Sequence, residues 1–213
     1  MRRRKKPGAK EKLLAYHQLV VKDTEGLKGK WNEYFDNENR IHVELGTGRG
    51  QFITSLAEQN PEINFIGIEI KEEVLLRAVQ KAEEKGLKNI AFLWYDVNHL
   101  TDVFSHGEID RLYINFCDPW PKKRWGKRRL THRNFLEVYR ELLGDHGEIH
   151  FKTDNEKLFE FTLNELSYSD YKLKNIIFDL HHSDFQGNIT TEYEDKFAAV
   201  GMKIYHCQAR KRN

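Results

Sequence analysis

Short runs rich in β-branched and aromatic residues alternate along the chain with longer runs whose apolar positions recur every three to four residues. IHVEL (41–45), INFIGIE (63–69), IAFLWYD (90–96), IDRLYINFC (109–117) and EIHFKTD (148–154) read as strands. Between them lie amphipathic helical patterns. In KEEVLLRAVQKAEEKG, Val74, Leu75, Ala78, Val79 and Ala82 share one face and Gly86 supplies a C-terminal stop. Phe135, Leu136, Tyr139, Leu142 and Leu143 form another face, closed by Gly144. Strand, helix and strand repeated in this way require right-handed crossovers, which predicts a doubly wound α/β fold with a mostly parallel sheet.

The rhythm changes near the C-terminus. LKNIIFDL (173–180) and AAVGMKIYHC (198–207) complete a predicted seven-stranded sheet whose last strand is antiparallel. HHSDFQGNITTEYEDKF joins them without helical periodicity, and polar connections of that length in compact domains are usually functional or disordered. Ahead of the first strand, Leu13, Leu14, His17, Val20 and Val21 form an amphipathic stripe. Residues 1–30 therefore read as a basic arm with a helix and 31–213 as one domain, with no repeat or linker dividing it.

Composition supports a folded chain: 213 residues with 39% hydrophobic and 12% aromatic content can bury a core as a single domain. No apolar run approaches the roughly 18 to 20 residues of a membrane helix. The basic start lacks a cleavable apolar segment. Cys117 and Cys207 show no C-x-x-C or framework spacing, which points to reduced thiols and a cytoplasmic protein. His181, His182 and Asp184 are the nearest approach to a metal cluster, but adjacent side chains at a strand exit diverge, so no metal is expected.

Charge changes the picture more. Residues 1–12 carry a surplus of six positive charges and residues 122–129 another six, so a chain of net +2 is left with −10 elsewhere. Two concentrated basic segments on a nearly neutral protein have the form of a footprint for a polyanion. The N-terminal one reads either as phosphate contact or as a solubilising tail on a packed helix.

After the first strand comes Glu44-Leu-Gly46-Thr-Gly48-Arg-Gly50, opening a helix. Glycines there allow a tight turn and close approach of a ligand to the main chain. The spacing is G-x-G-x-G behind an acid. It is neither the dinucleotide G-x-G-x-x-G nor a triphosphate-binding G-K-[ST] pattern. Glu69 ends the second strand, where a carboxylate can accept both hydroxyls of a ribose, and Asp96 ends the third, within reach of an adenine amino group or simply solvated. This pattern resembles the class I S-adenosylmethionine-dependent methyltransferases. The resemblance implies S-adenosylmethionine as cofactor, with Glu44 near its methionine moiety, Glu69 on its ribose and Asp96 near its adenine.

The fourth strand ends in Asp118-Pro119-Trp120-Pro121, followed by Lys122-Lys123-Arg124-Trp125-Gly126-Lys127-Arg128-Arg129. Prolines stiffen the turn, the aromatic offers a stacking face, and the basic run implies a substrate held by its phosphates. Together with VELGTGRG, GIE, FKTDN (151–155) and TEYEDKF (191–197), this block resembles the bacterial tRNA (guanine-N7)-methyltransferases, which modify guanosine 46 of the variable loop. Trp125-Gly126 departs from the histidine expected in that family after KKR.

The resemblance implies tRNA as partner and Asp118 as the active-site acid beside the cofactor. It implies substrate contacts from Lys122, Asp154, Thr191, Glu192, Tyr193 and Glu194, and RNA contacts from Arg124, Trp125, Gly126, Lys127, Arg128 and Arg129. Asp154 or Glu194 is expected to accept from guanine's N1 and N2 donors. Without the resemblance, the TEYE segment reads as a charged surface loop and Thr153-Asp154-Asn155 as a helix N-cap. A methyltransferase for another RNA guanosine, or a non-catalytic RNA-binding protein on the same fold, remains the alternative. The chain is expected to be a monomer or a homodimer.

Overall fold

The computed structural model describes residues 8–212. The arginine and lysine cluster at Arg2 to Lys6 lies outside them. The elements are α1 (Ala9–Ala15), β1 (Val20–Val21), α2 (Trp31–Phe35), β2 (Arg40–Leu45), α3 (Gln51–Gln59), β3 (Ile63–Glu69), α4 (Glu72–Glu84) and β4 (Ile90–Trp94). They continue with β5 (Ile109–Asn115), α5 (Arg133–Leu142), β6 (Leu143–Thr153), α6 (Glu156–Tyr168), β7 (Tyr171–Ile177), α7 (Glu192–Ala198) and β8 (Tyr205–Lys211). The strands form one sheet in the order β1-β4-β3-β2-β5-β6-β8-β7. The order reverses between β2 and β5, and there the carboxyl ends of two adjacent strands lead into loops that diverge to opposite faces, opening a crevice.

The expected doubly wound, mostly parallel sheet is present, and β8 runs antiparallel to both β6 and β7. Three details differ from the sequence reading. The sheet has eight strands, because the apolar stripe near the N-terminus splits: α1 stops at Ala15, and Val20 and Val21 pair with Phe92 and Leu93 of β4. The last strand begins at Tyr205, not residue 198. The segment before it contains α7, where the Thr191 hydroxyl accepts from the Glu194 backbone N–H and three acids occupy the first turn. A capped, acid-led turn suits a helix N-terminus, and it forms without the apolar periodicity that normally betrays a helix.

Alternation along the strands explains the two faces. Val43, Leu45, Ile66, Ile68, Leu112 and Ile114 point to one side and join Phe151 and Leu136 in a continuous core. On the other side Phe65, Phe92 and Ile90 pack against α1, α3 and α4 through Leu13, Ile53 and Leu75. Burying side chains of this size contributes roughly 1.5–3 kcal/mol each. This second core ends at β2. Beyond it, β5, β6 and β8 present Arg111, Tyr113, Glu148, His150, His206 and Gln208 on the same face.

Candidate active site

The glycine turn is shaped by necessity. Gly46, Gly48 and Gly50 have φ of 77°, 60° and 81°, in the left-handed region. A Cβ on Gly50 would stand 2.5 Å from the Cβ of Ala78, so this glycine lets α3 and α4 meet. Around Gly46 nothing lies within 4 Å of a built Cβ, leaving the main chain approachable by a ligand. The Gly46 and Thr47 amides donate to Ile68 O, both at 2.9 Å, tying the turn to the end of β3.

Three acids at the ends of β2, β3 and β4 are each held differently. Glu69 accepts from the amides of Gly48 at 3.2 Å and of Ile70 and Lys71 at 3.0 Å, which fixes its carboxylate at the crevice edge. Asp96 accepts from Asn98 N and Nδ2 at 2.9 and 2.7 Å and so caps the 3-10 turn that follows β4. Glu44 is 2% exposed. Its oxygens accept from Thr47 Oγ1 at 2.6 Å and Asn115 Nδ2 at 2.9 Å. Burial raises its pKa to about 7 against the pull of those two hydrogen bonds.

β5 ends in a strained turn. Phe116 and Trp120 flank Asp118 with φ of 51° and 42°, a conformation rare for bulky residues. Arg129 secures the turn: its Nε donates to Pro119 O at 3.0 Å and its Nη2 to Trp120 O at 3.1 Å, while its guanidinium lies 4.3 Å from the Phe161 ring. It faces inward, unlike its basic neighbours. Asp118 is exposed at the head of the turn. Burial, with Asp118 adding to it, pushes the adjacent Cys117 thiol up to about 12, so it stays protonated.

The basic run forms a 3-10 helix, Lys123–Arg128, organised by aromatic rings. Trp120 and Trp125 meet edge to face at 5.8 Å. Lys122 and Arg124 lie over Trp125 at 5.0 and 5.2 Å, and Arg128 over Trp120 at 5.0 Å. Gly126 is the C-terminal carbonyl that receives the Arg129 amide at 3.1 Å. Lys123, Arg124, Lys127 and Arg128 remain exposed.

α7 brings the TEYE residues to the same edge, but they diverge. Thr191 caps the helix, and Glu192 pairs with Lys81 of α4. The Tyr193 hydroxyl donates to Asp154 Oδ2 at 2.9 Å, and its ring packs 5.0 Å from Phe116. Burial and then Asp154 push the Tyr193 phenol up to about 12. Asp195 accepts from Gln51 Nε2 of α3 at 2.6 Å. Glu194 is fully buried, held by Lys152 Nζ at 2.7 Å, Asn188 Nδ2 at 2.8 Å and His181 Nε2 at 3.1 Å. Its carboxylate, expected with Asp154 as an acceptor for guanine's donors, is thus occupied by three partners of the protein itself. The helix-capping reading of Thr153-Asp154-Asn155 belongs to Asn155, whose side chain accepts from Leu158 N at 2.8 Å, leaving Asp154 to Tyr193.

Sequence reasoning missed Lys152 and Asn115. Lys152 is buried, donates also to Ile189 O at 2.8 Å, and has its pKa pulled down by burial while Glu194 opposes the fall. Its signal was a lysine on the strand face otherwise shared by Glu148 and His150. Asn115 signals itself as a polar residue at the last position of an apolar strand. Among the described residues no group of three or more His, Cys, Asp or Glu side chains is placed to hold a metal ion, and no helix is long and apolar enough to cross a membrane.

Residues 38–207 match the family model described as "Putative methyltransferase". A tRNA (guanine-N(7)-)-methyltransferase of Clostridioides difficile is 61% identical over 214 residues, covering 100% of both chains. The chain belongs to the bacterial tRNA (guanine-N7)-methyltransferase family. A second family member, from Geobacillus, is 52% identical over 99% of this chain and 96% of its own. The solved 16S rRNA methyltransferase KamB shares the architecture at a TM-score of 0.69 with 12% identity, over 92% of this chain and 99% of that one. The protein is thus a methyltransferase enzyme with a class I fold.

Proposed function

We propose that the enzyme transfers the methyl group of S-adenosylmethionine to N7 of guanosine 46 in the tRNA variable loop. The observation that carries this reading is the placement of Asp118. It stands exposed on a strained turn at the sheet's switch point, between the glycine turn and a basic helix studded with two tryptophans. Full-length likeness to named tRNA (guanine-N7)-methyltransferases supports the same substrate.

The residues present fit the cofactor. The open main chain at Gly46 and Gly48 accepts close approach, Glu69 is anchored with an acceptor site left on Oε2 for a ribose hydroxyl, and Asp96 marks the adenine end. Glu44 acts from beneath, holding Thr47 and Asn115 in place for the methionine end. When bound, S-adenosylmethionine supplies an electrophilic methyl group on a sulfonium.

Guanine N7 is an acceptor with a free lone pair, so no proton must leave before attack and no general base is needed. As the C–N bond forms and the C–S bond breaks, positive charge moves onto the purine. Asp118 stabilises that charge and holds the base in line. Asp154, oriented by Tyr193, accepts from the N1 and N2 donors of guanine, while Lys122 contacts a neighbouring phosphate. Thr191, Glu192 and Glu194 act by fixing α7 against the sheet. Lys123, Arg124, Lys127 and Arg128 neutralise the RNA backbone, and Trp125 offers a face to an unpaired base. The basic segment at Arg2 to Lys6 adds phosphate contacts.

The test is transfer of labelled methyl from S-adenosylmethionine to unmodified tRNA transcripts with guanosine or adenosine at position 46, mapped by N7-specific strand cleavage. Label confined to the guanosine transcript is expected. Equal labelling of both transcripts moves the target to another guanosine.

A further inference from the structure

Beyond β2, one face of the sheet carries polar side chains of β5, β6 and β8, and it is not bare. Phe52 and Leu56 of α3 wall it on one side and Phe185, Gly187 and Ile189 on another, enclosing a cavity of ≈ 410 Å³. Of the residues assigned above to the cofactor, none lines it except Asn115, which Glu44 holds for the methionine end. It shares only the buried side of Asn115 and Lys152 with the reaction site.

The polar groups facing this cavity are short of acceptors. His206 is 4% exposed, yet neither ring nitrogen has a hydrogen-bond partner among the described residues, and Arg111 Nε is likewise unpartnered. The Phe151 backbone lies near enough to favour the protonated His206 ring slightly, without reaching hydrogen-bond geometry. Buried polar groups in this state are costly and uncommon. Charge is unbalanced in the same sense. Glu148 alone receives Arg111 at 3.3 Å, His150 at 3.2 Å and Lys174, so two permanent cations face one acid. Lys152, the remaining cation lining the cavity, is matched by Glu194.

An occupant that completes this site brings negative charge and acceptor oxygens at one end and tolerates the rings of Phe52 and Phe185 at the other. We propose that the cavity is a binding site for a phosphate or carboxylate group, held by Arg111, Lys174 and His206. Its size suits a small molecule carrying such a group. The same chemistry is offered by a backbone phosphate of the tRNA.

Inorganic phosphate is the probe, titrated into the full chain while the His206 ring is followed by nuclear magnetic resonance. Burial first, then His150 and Lys152, hold that ring down at about 3, so a bound anion registers as an upward shift of its titration. A saturable shift is expected, weakened about tenfold in Lys174→Gln and at least as much in Arg111→Gln, as befits loss of one charge-assisted contact. Lys174 is a surface residue, and Lys174→Gln keeps wild-type methyl transfer in phosphate-free buffer if the ligand is a free anion. Repeating the titration with tRNA bound separates the sources. Phosphate that still binds marks a free small anion; phosphate displaced by tRNA, with tRNA affinity lowered in Lys174→Gln, marks the RNA backbone. A shift that never saturates, or that saturates in both Lys174→Gln and Arg111→Gln at the wild-type phosphate concentration, overturns the site and assigns the effect to the basic loop.

Discussion

Lys152 Nζ lies 2.7 Å from Glu194 Oε2, with the two side chains 4% and 0% exposed, and this contact fastens α7 to the end of β6. A buried ion pair adds little net stability over an apolar pair of similar volume, but removing one partner strands a charge. Lys152→Met is therefore expected to lower unfolding stability by about 3–5 kcal/mol in urea. Adding Glu194→Leu should restore most of that loss without restoring tRNA affinity, because the 188–189 segment also hangs on the Lys152 ammonium. Additive losses in the double variant would show that the two side chains act separately.

Asp118 separates chemistry from binding. Asp118→Ala is expected to reduce single-turnover methyl transfer by about 10²–10³-fold, the scale of one lost electrostatic stabiliser. Calorimetric affinity for S-adenosylmethionine should change far less. Asp118→Asn, which keeps the hydrogen-bonding shape without the charge, should fall between the two. Wild-type turnover in Asp118→Ala would remove the residue from the mechanism.

Arg129 and Lys127 are neighbours in sequence with opposite tasks. Lys127→Ala should lower the salt dependence of tRNA binding by roughly one unit of slope while leaving turnover at saturating tRNA intact. Arg129→Ala loses both hydrogen bonds to the Pro119 and Trp120 carbonyls. Its expected signature is reduced turnover with an unchanged salt slope. Binding isotherms between low and moderate salt, alongside saturating kinetics, distinguish them.

Acid and neutral pH load different groups of the sheet. Burial first pulls His42 and His206 down to about 3. Each ring is neutral when folded but protonated when unfolded below its ordinary 6.5, so stability declines as pH falls from there towards 3. Glu44 has the reverse sign. With its pKa raised to about 7 from 4.5, the folded protein keeps a proton that the unfolded chain releases, and stability falls as pH rises through that window. Relative to wild type, Glu44→Gln should gain on the order of 3 kcal/mol across it. Urea midpoints for the two proteins at several pH values give the difference directly, and a flat difference would mean that the carboxylate is solvated.

What was legible in the sequence was whatever repeats locally. The alternation of Phe65, Gly67 and Glu69 against Ile66 and Ile68, and the face from Val74 to Ala82, fixed the crossover pattern and with it the crevice. The glycine turn was legible because only glycine serves at the φ of Gly46, Gly48 and Gly50. A strand of two residues, Val20 and Val21, leaves no period to detect; it exists because Phe92 N finds Leu19 O at 2.7 Å. The roles of Glu194 and Arg129 were hidden for a related reason. A charged residue beside a binding motif looks alike whether it faces solvent or a partner 42 positions away, and Lys152 is such a partner.

Five successive residues, Thr191 to Asp195, reach into five different places: their own helix, α4, Asp154, Lys152 and α3. A segment pinned at so many points does not open by degrees. With ties to α3 and α4 on one side and to Lys152 and Asp154 at the end of β6 on the other, loss of any one contact leaves the rest holding the helix in place.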